Sequence, residues 1–140
     1  MKDQIVLRVI GKLFIPLILL FAFYVLFHGD YGPGGGFQAG VIFAAAFVLH
    51  MLIFGLEETE KVAKPNLVLA LTAVGVLLYT IPGLMGILLG GNFLDYNVFR
   101  HHDPVHGQHI GILFIELGVG ITVASVIITI IFSFAKRTQL

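Results

Sequence analysis

Three side chains fall where lipid is a poor solvent for them, and each of the three can carry a proton. Glu116 lies inside the apolar run "HIGILFIELGVGITVASVII", His50 inside "AAAFVLHMLIFG", and His109 at the start of the run that holds Glu116. An acidic side chain near the centre of a membrane helix costs about 2.5–3.5 kcal/mol on insertion scales, so Glu116 is expected to face protein or water and to be there for function. Counted from the start of its apolar run it sits about six residues, roughly 9 Å, inside the helix. At helical spacing it shares a face with His109, seven residues earlier, and with Gly120 and Ala124, four and eight later. That stripe of small residues would let another helix close around the carboxyl. A carboxyl so placed can hold a proton or a cation in alternation. It can also be a protonated acid that hydrogen-bonds a neighbouring helix. A neutral imidazole has one donor and one acceptor, so His50 reads equally as a buried structural histidine or a proton carrier.

Two other clusters invite a cofactor. The stretch "RHHDPVHGQH" brings His101, His102, Asp103, His106 and His109 together in sequence, but without the ligand spacing of a known metal site, so neither a metal nor a haem is assigned. These histidines could instead gather protons at a pathway mouth. The stretch "HGDYGPGGGFQAG", His28 to Gly40, has the look of a phosphate cradle. A Walker-type loop would end in Lys and Ser or Thr, whereas Phe37 and Gln38 follow the glycines here. Gly34, Gly36 and Ala39 match a loose dinucleotide spacing, yet a long apolar run precedes them where that motif needs a short strand. No cofactor is expected.

The elements that position these residues are membrane helices. Of 140 residues, 58% are hydrophobic and only 11% charged, too little charge to cover a water-soluble domain of this size. The fold class is therefore an all-α integral membrane protein, read as a single membrane domain over residues 1–140. Four runs are apolar enough to span, about 10–27, 38–56, 67–89 and 110–134, each near or above the roughly 20 residues that a hydrocarbon core requires. The first ends in His-Gly-Asp with no small-x-small cleavage pattern, so it reads as a retained helix and not a signal peptide. Lys2, Arg8, Lys12, Lys61, Lys64, Lys136 and Arg137 fall on one side of this layout and Arg100 alone on the other, which places both termini in the cytoplasm. "EETEKVAKPN" reads as a short solvated connection, and Pro82 with Gly83 and Gly86 as a kinked outer end of the third span. Gly40 and Ala44 make a small-xxx-small packing pair. The balance of eight basic and eight acidic residues offers nucleic acid no broad basic surface, and no cysteine is present for thiol chemistry.

The glycine stretch, set at the opening of a second membrane helix, resembles the signature of the B subunit of Mrp-type (also called Mnh) multisubunit sodium/proton antiporters. The matching positions are His28, Pro33, Gly34, Gly35, Gly36, Phe37, Gln38 and Gly40. The resemblance implies a small, non-enzymatic subunit of a multi-pass assembly in the cytoplasmic membrane. Its partners would be other subunits, including large antiporter-like ones, the lipid bilayer, and transported Na+ and H+. It does not assign a role to Glu116. The glycine turn is expected to pack against another subunit, with Phe37 as an apolar plug and Gln38 as a polar contact, or else to serve this chain's own fold.

The leading expectation is an accessory subunit in which Glu116, with His109 and His50, contributes to ion or proton passage. Three rivals stay open: a purely structural assembly subunit, a self-sufficient small channel or transporter, and a haem or quinone protein. Substitution of Glu116, ion flux through the chain alone, and an absorption spectrum separate them.

Overall fold

The computed structural model describes residues 5–29, 31–99 and 104–138. The chain runs through α1 (Ile5–His28), α2 (Gly36–Phe54), a short α3 (Leu56–Val62), α4 (Pro65–Leu88), a single 3-10 turn (Tyr96–Phe99) and α5 (Pro104–Thr138). Among the described residues, α1, α2, α4 and α5 are the helices long and apolar enough to cross a membrane. Helix is the state that satisfies every backbone amide within its own segment, which lipid demands. Pro16 and Pro82 therefore interrupt single backbone bonds without ending α1 or α4.

The helices differ from the apolar runs at their ends, for local reasons. Pro65 sits at the start of α4 and Pro104 opens α5, each supplying the fixed φ of a first helical residue. The fourth span thus begins six residues earlier than the expected 110, and His106 and His109 ride on a helix instead of a loop. His101, His102 and Asp103 lie outside the described residues. The connection read as a solvated loop contains α3, whose first turn carries Glu57 and Glu58 and whose last carries Lys61, charges matched to the two ends of the helix dipole.

The spans stand in the order α1, α2, α5, α4, with α2 packed on α1 and α5 packed between α2 and α4. Small residues set these contacts, because between helices in lipid close packing replaces the hydrophobic driving force. On the α2–α5 seam Gly36 meets the backbone of Glu116, and Gly40 meets Gly120 and Val123. On the α4–α5 seam Gly75 meets Thr122, and Gly118 meets Tyr79. Hence α5 uses Gly120 toward one neighbour and Gly118 toward the other. α2 runs parallel to α5 and α4 runs antiparallel to it. The start of α1 and the last turns of α5 come to the same end of the bundle: Arg8 lies over the Phe54 ring, 5.5 Å from its centre, and Lys136 Nζ reaches Glu60 Oε1 at 2.8 Å.

Near that end α2, α3, α4 and α5 converge on a core of Ala44, Leu56, Ala63, Val68, Ile128 and Phe132. At the opposite end Gly83 packs on Phe93 and Leu94, and Gly86 on the backbone of Asn92, so the segment after α4 folds back over its glycines. Tyr96 then covers Gly111 of α5. Burial pushes the Tyr96 phenol above its ordinary value, so it stays neutral in the physiological range.

Candidate proton and cation site

The turn between α1 and α2 folds back on the last turn of α1. Gly32 N–H donates to the His28 carbonyl at 3.1 Å and Gly35 N–H to the Val25 carbonyl at 3.1 Å. Gly35 has φ +110° and ψ 178°, a backbone region that is essentially closed to residues with a Cβ. At Gly36 the limit is contact: a methyl group there would collide with the Glu116 carbonyl oxygen. The His28 ring is held against Tyr24, with centroids 5.3 Å apart. Gly34, Gly35 and Gly36 are thus spent on the chain's own turn and on α5. Pro33, Phe37 and Gln38 are exposed, Phe37 by 61% of its surface.

Glu116 belongs to this turn. Its Oε1 lies 2.6 Å from where a methyl on Gly29 would stand and 3.1 Å from where one on Gly35 would stand. Gly35 caps α2 and makes no side-chain hydrogen bond to it. The carboxylate of α5 therefore stands at the N-terminus of α2, where unsatisfied amides and the helix dipole favour a negative charge. Sequence reasoning placed Glu116 about six residues into its helix. The structure places it twelve residues after Pro104 and level with the first residue of α2, because α5 reaches beyond the α1–α2 turn before it meets α2.

His109 lies on the same helix about 10 Å nearer to Pro104, and its side chain is exposed. His50 is at the other end of the bundle, about 21 Å along α2 from Gly36. Glu116 and His50 are not brought together. His50 Nδ1 meets Thr59 Oγ1 at 2.8 Å, and Thr59 donates to the Gly55 carbonyl at 2.9 Å. A hydroxyl has one proton, so Thr59 accepts from His50 and the imidazole carries its hydrogen on Nδ1. Thr59 is fully buried. Replacing it with Val removes the acceptor while keeping the shape, and is expected to destabilise the subunit by about 1–2 kcal/mol. Thr59→Ser should keep most of that stability, as read from unfolding midpoints in a detergent titration.

Sequence reasoning missed Thr59 and a row of hydroxyls on α5. Thr72 donates to Ser125 Oγ at 3.0 Å across the α4–α5 seam. Thr122, Ser125, Thr129 and Ser133 each donate to the carbonyl four residues back, at 2.7–2.8 Å. Their spacing of three or four in "ITVASVIITIIFS" was the available signal. Such back-bonding is how a hydroxyl is satisfied in lipid, so the row carries no ligand by itself. A cavity of about 410 Å³ beside it, between α1, α2, α4 and α5, is apolar apart from Ser125. Among the described residues no three His, Asp or Glu side chains come together as a metal site.

Residues 6–129 match the family model described as "Domain related to MnhB subunit of Na+/H+ antiporter". Antiporter subunit mnhB2 of Staphylococcus haemolyticus (strain JCSC1435) is 35% identical over 131 residues, 92% of each chain. The mnhB2 subunits of Staphylococcus aureus strains Newman and NCTC 8325 are 36% identical over 134 residues, 94% of each chain.

Proposed function

The chain belongs to the MnhB family and is an accessory membrane subunit of a multisubunit Na+/H+ antiporter, and we propose that Glu116 is its proton- and sodium-exchanging group. The observation that carries this reading is a half-buried carboxylate held at the N-terminus of α2 between Gly29 and Gly35. In the mechanism, the turn amides and the helix dipole hold Glu116 charged while Na+ is near. Loss of the cation to one side lets the carboxyl take a proton from the other.

His109, about 10 Å along α5 and exposed, supplies or removes that proton at the bundle end. His50 lies too far away to exchange with Glu116 directly, and the cavity beside α5 is apolar apart from Ser125. Neighbouring subunits therefore complete the path, which is why the chain acts as part of an assembly and not as a channel or an enzyme. Exposed Phe37 and Gln38 are its contacts to one such neighbour, and the large antiporter-like subunits are its functional partners. The lysines and arginines near the termini support a cytoplasmic side for that end in the cell membrane, with the Glu116 end facing outward.

A structural reading draws on the same carboxylate. As the charge at the start of α2, Glu116 could hold the turn in shape and conduct nothing. The two readings part on Glu116→Gln: loss of exchange in an assembled complex supports the relay, and loss of assembly supports the structural role. The assembly itself is tested by tagging the chain in its host and extracting it in mild detergent. One high-mass band containing large antiporter-like subunits is expected, and a band holding this chain alone would overturn the accessory reading.

A further inference from the structure

At the end of the bundle where α1 begins and α5 ends, α1, α2 and α3 line a second cavity, a cleft of about 370 Å³. Unlike the apolar cavity it is lined by charge: Arg8 and Lys12 from α1, His50 from α2 and Glu58 from α3. Arg8 and Lys12 are four residues apart, one helical turn, so two like charges face the same cleft. The Arg8 guanidinium lies over the Phe54 ring, 5.5 Å from its centre, which helps to hold it at the cleft. Glu58, the carboxylate in the lining, is held by Lys61 at 2.6 Å. Among the described lining residues two cations, Arg8 and Lys12, stand against one carboxylate, Glu58.

The deeper wall is apolar. Ile15 and Pro16 line it one turn further along α1, where the uninterrupted apolar run of that helix begins. Beyond them the surface of α1 is exposed, Leu17 by 51% and Leu20 by 67%, and at that depth it faces hydrocarbon or a neighbouring subunit. The two cations thus stand at headgroup height above an acyl-chain surface, an arrangement that fits anionic lipid better than a free ion. His50 adds a polar acceptor. With Nδ1–H committed to Thr59, its neutral ring has Nε2 left as a lone-pair acceptor, suited to a hydroxyl.

We propose that this cleft binds an anionic phospholipid with a hydroxyl-bearing headgroup. The phosphate sits between Arg8 and Lys12, the headgroup hydroxyl donates to His50, and the first carbons of the chains lie along Ile15 and Pro16. A phosphate diester accepts hydrogen bonds from a guanidinium and an ammonium together. The bound lipid would tie α1 to α2 and α3 at the edge of the row of helices, where α1 has α2 as its main neighbour.

The test uses the purified antiporter complex reconstituted with photoactivatable phosphatidylglycerol, a diazirine near the start of one acyl chain. Expected is a crosslink on the peptide of this chain that contains Ile15 and Pro16, at least fivefold stronger than with the matching phosphatidylcholine probe. Arg8→Gln with Lys12→Gln should lower it at least fivefold, whereas Lys64→Gln, outside the cleft, should leave it unchanged. If the double variant does not assemble, Lys12→Gln alone is expected to lower the crosslink at least twofold. Equal labelling by the two probes, or labelling indifferent to Lys12, would overturn the proposal. Complete competition by 10 mM inorganic phosphate, a concentration on the order of 10 mM being ample for a free-ion site, would identify a soluble anion instead of a lipid and overturn it too.

Discussion

Gly36→Val is expected to remove most of the correctly folded subunit from the membrane. At this position α2 passes so close to α5 that any Cβ would strike the Glu116 carbonyl oxygen, a backbone atom that cannot swing aside as a side chain does. Relief requires the two helices to separate, and separation loosens Gly40 from Gly120 and Val123 one turn further on. In lipid no hydrophobic gain compensates for the lost packing, because hydrocarbon is as apolar as the partner helix. Overpacking against a rigid partner costs about 3 kcal/mol, a large part of the stability of a small protein. The measurement is the amount of subunit in membranes and its detergent-unfolding midpoint. Phe37→Ala is the control: one residue along and 61% exposed, it should leave the midpoint within about 0.5 kcal/mol of the parent. A Gly36→Val protein as stable as the parent would mean that α2 and α5 do not meet here.

The second large effect concerns exchange. Glu116→Gln keeps the size of the side chain and its ability to accept a hydrogen bond, and removes its ability to release a proton or balance a cation. Na+/H+ exchange in everted vesicles is expected to fall at least about tenfold, which corresponds to about 1.4 kcal/mol or more on the limiting step. The subunit should still co-purify with its complex. Glu116→Asp, one methylene shorter, should retain intermediate exchange, since the charge survives but stands further from the turn between Gly29 and Gly35. Normal exchange by an assembled Glu116→Gln complex would sink the relay, and joint loss of assembly and exchange would assign Glu116 to the turn.

The membrane class and the number of spans were legible without coordinates, because solvation by lipid acts on every residue of a run and composition reports it directly. Span ends were less legible. Pro104 starts α5 well outside the apolar run, and α3 forms inside a segment that looks solvated, since caps and charges place helix ends and hydropathy does not. The small-residue pair Gly40 and Ala44 announced a packing face, and the structure supplies the partner of Gly40, Gly120 and Val123 of α5.

By itself the sequence determined that Glu116 sits in a helix where a charge is costly, that a glycine turn opens the second span, and that both belong to a chain of the antiporter-subunit type. Tertiary structure alone decided that these two features meet. The turn and the carboxyl are eighty residues apart in the chain, so no local periodicity could couple Gly36 to Glu116. The same holds for His50. Its pairing with a buried threonine in the next helix, and its separation from Glu116 by most of the bundle, depend on how α2 turns at Gly55 and in what order the helices stack. Those choices rest on contacts between distant residues, and such contacts exist only once the chain is packed.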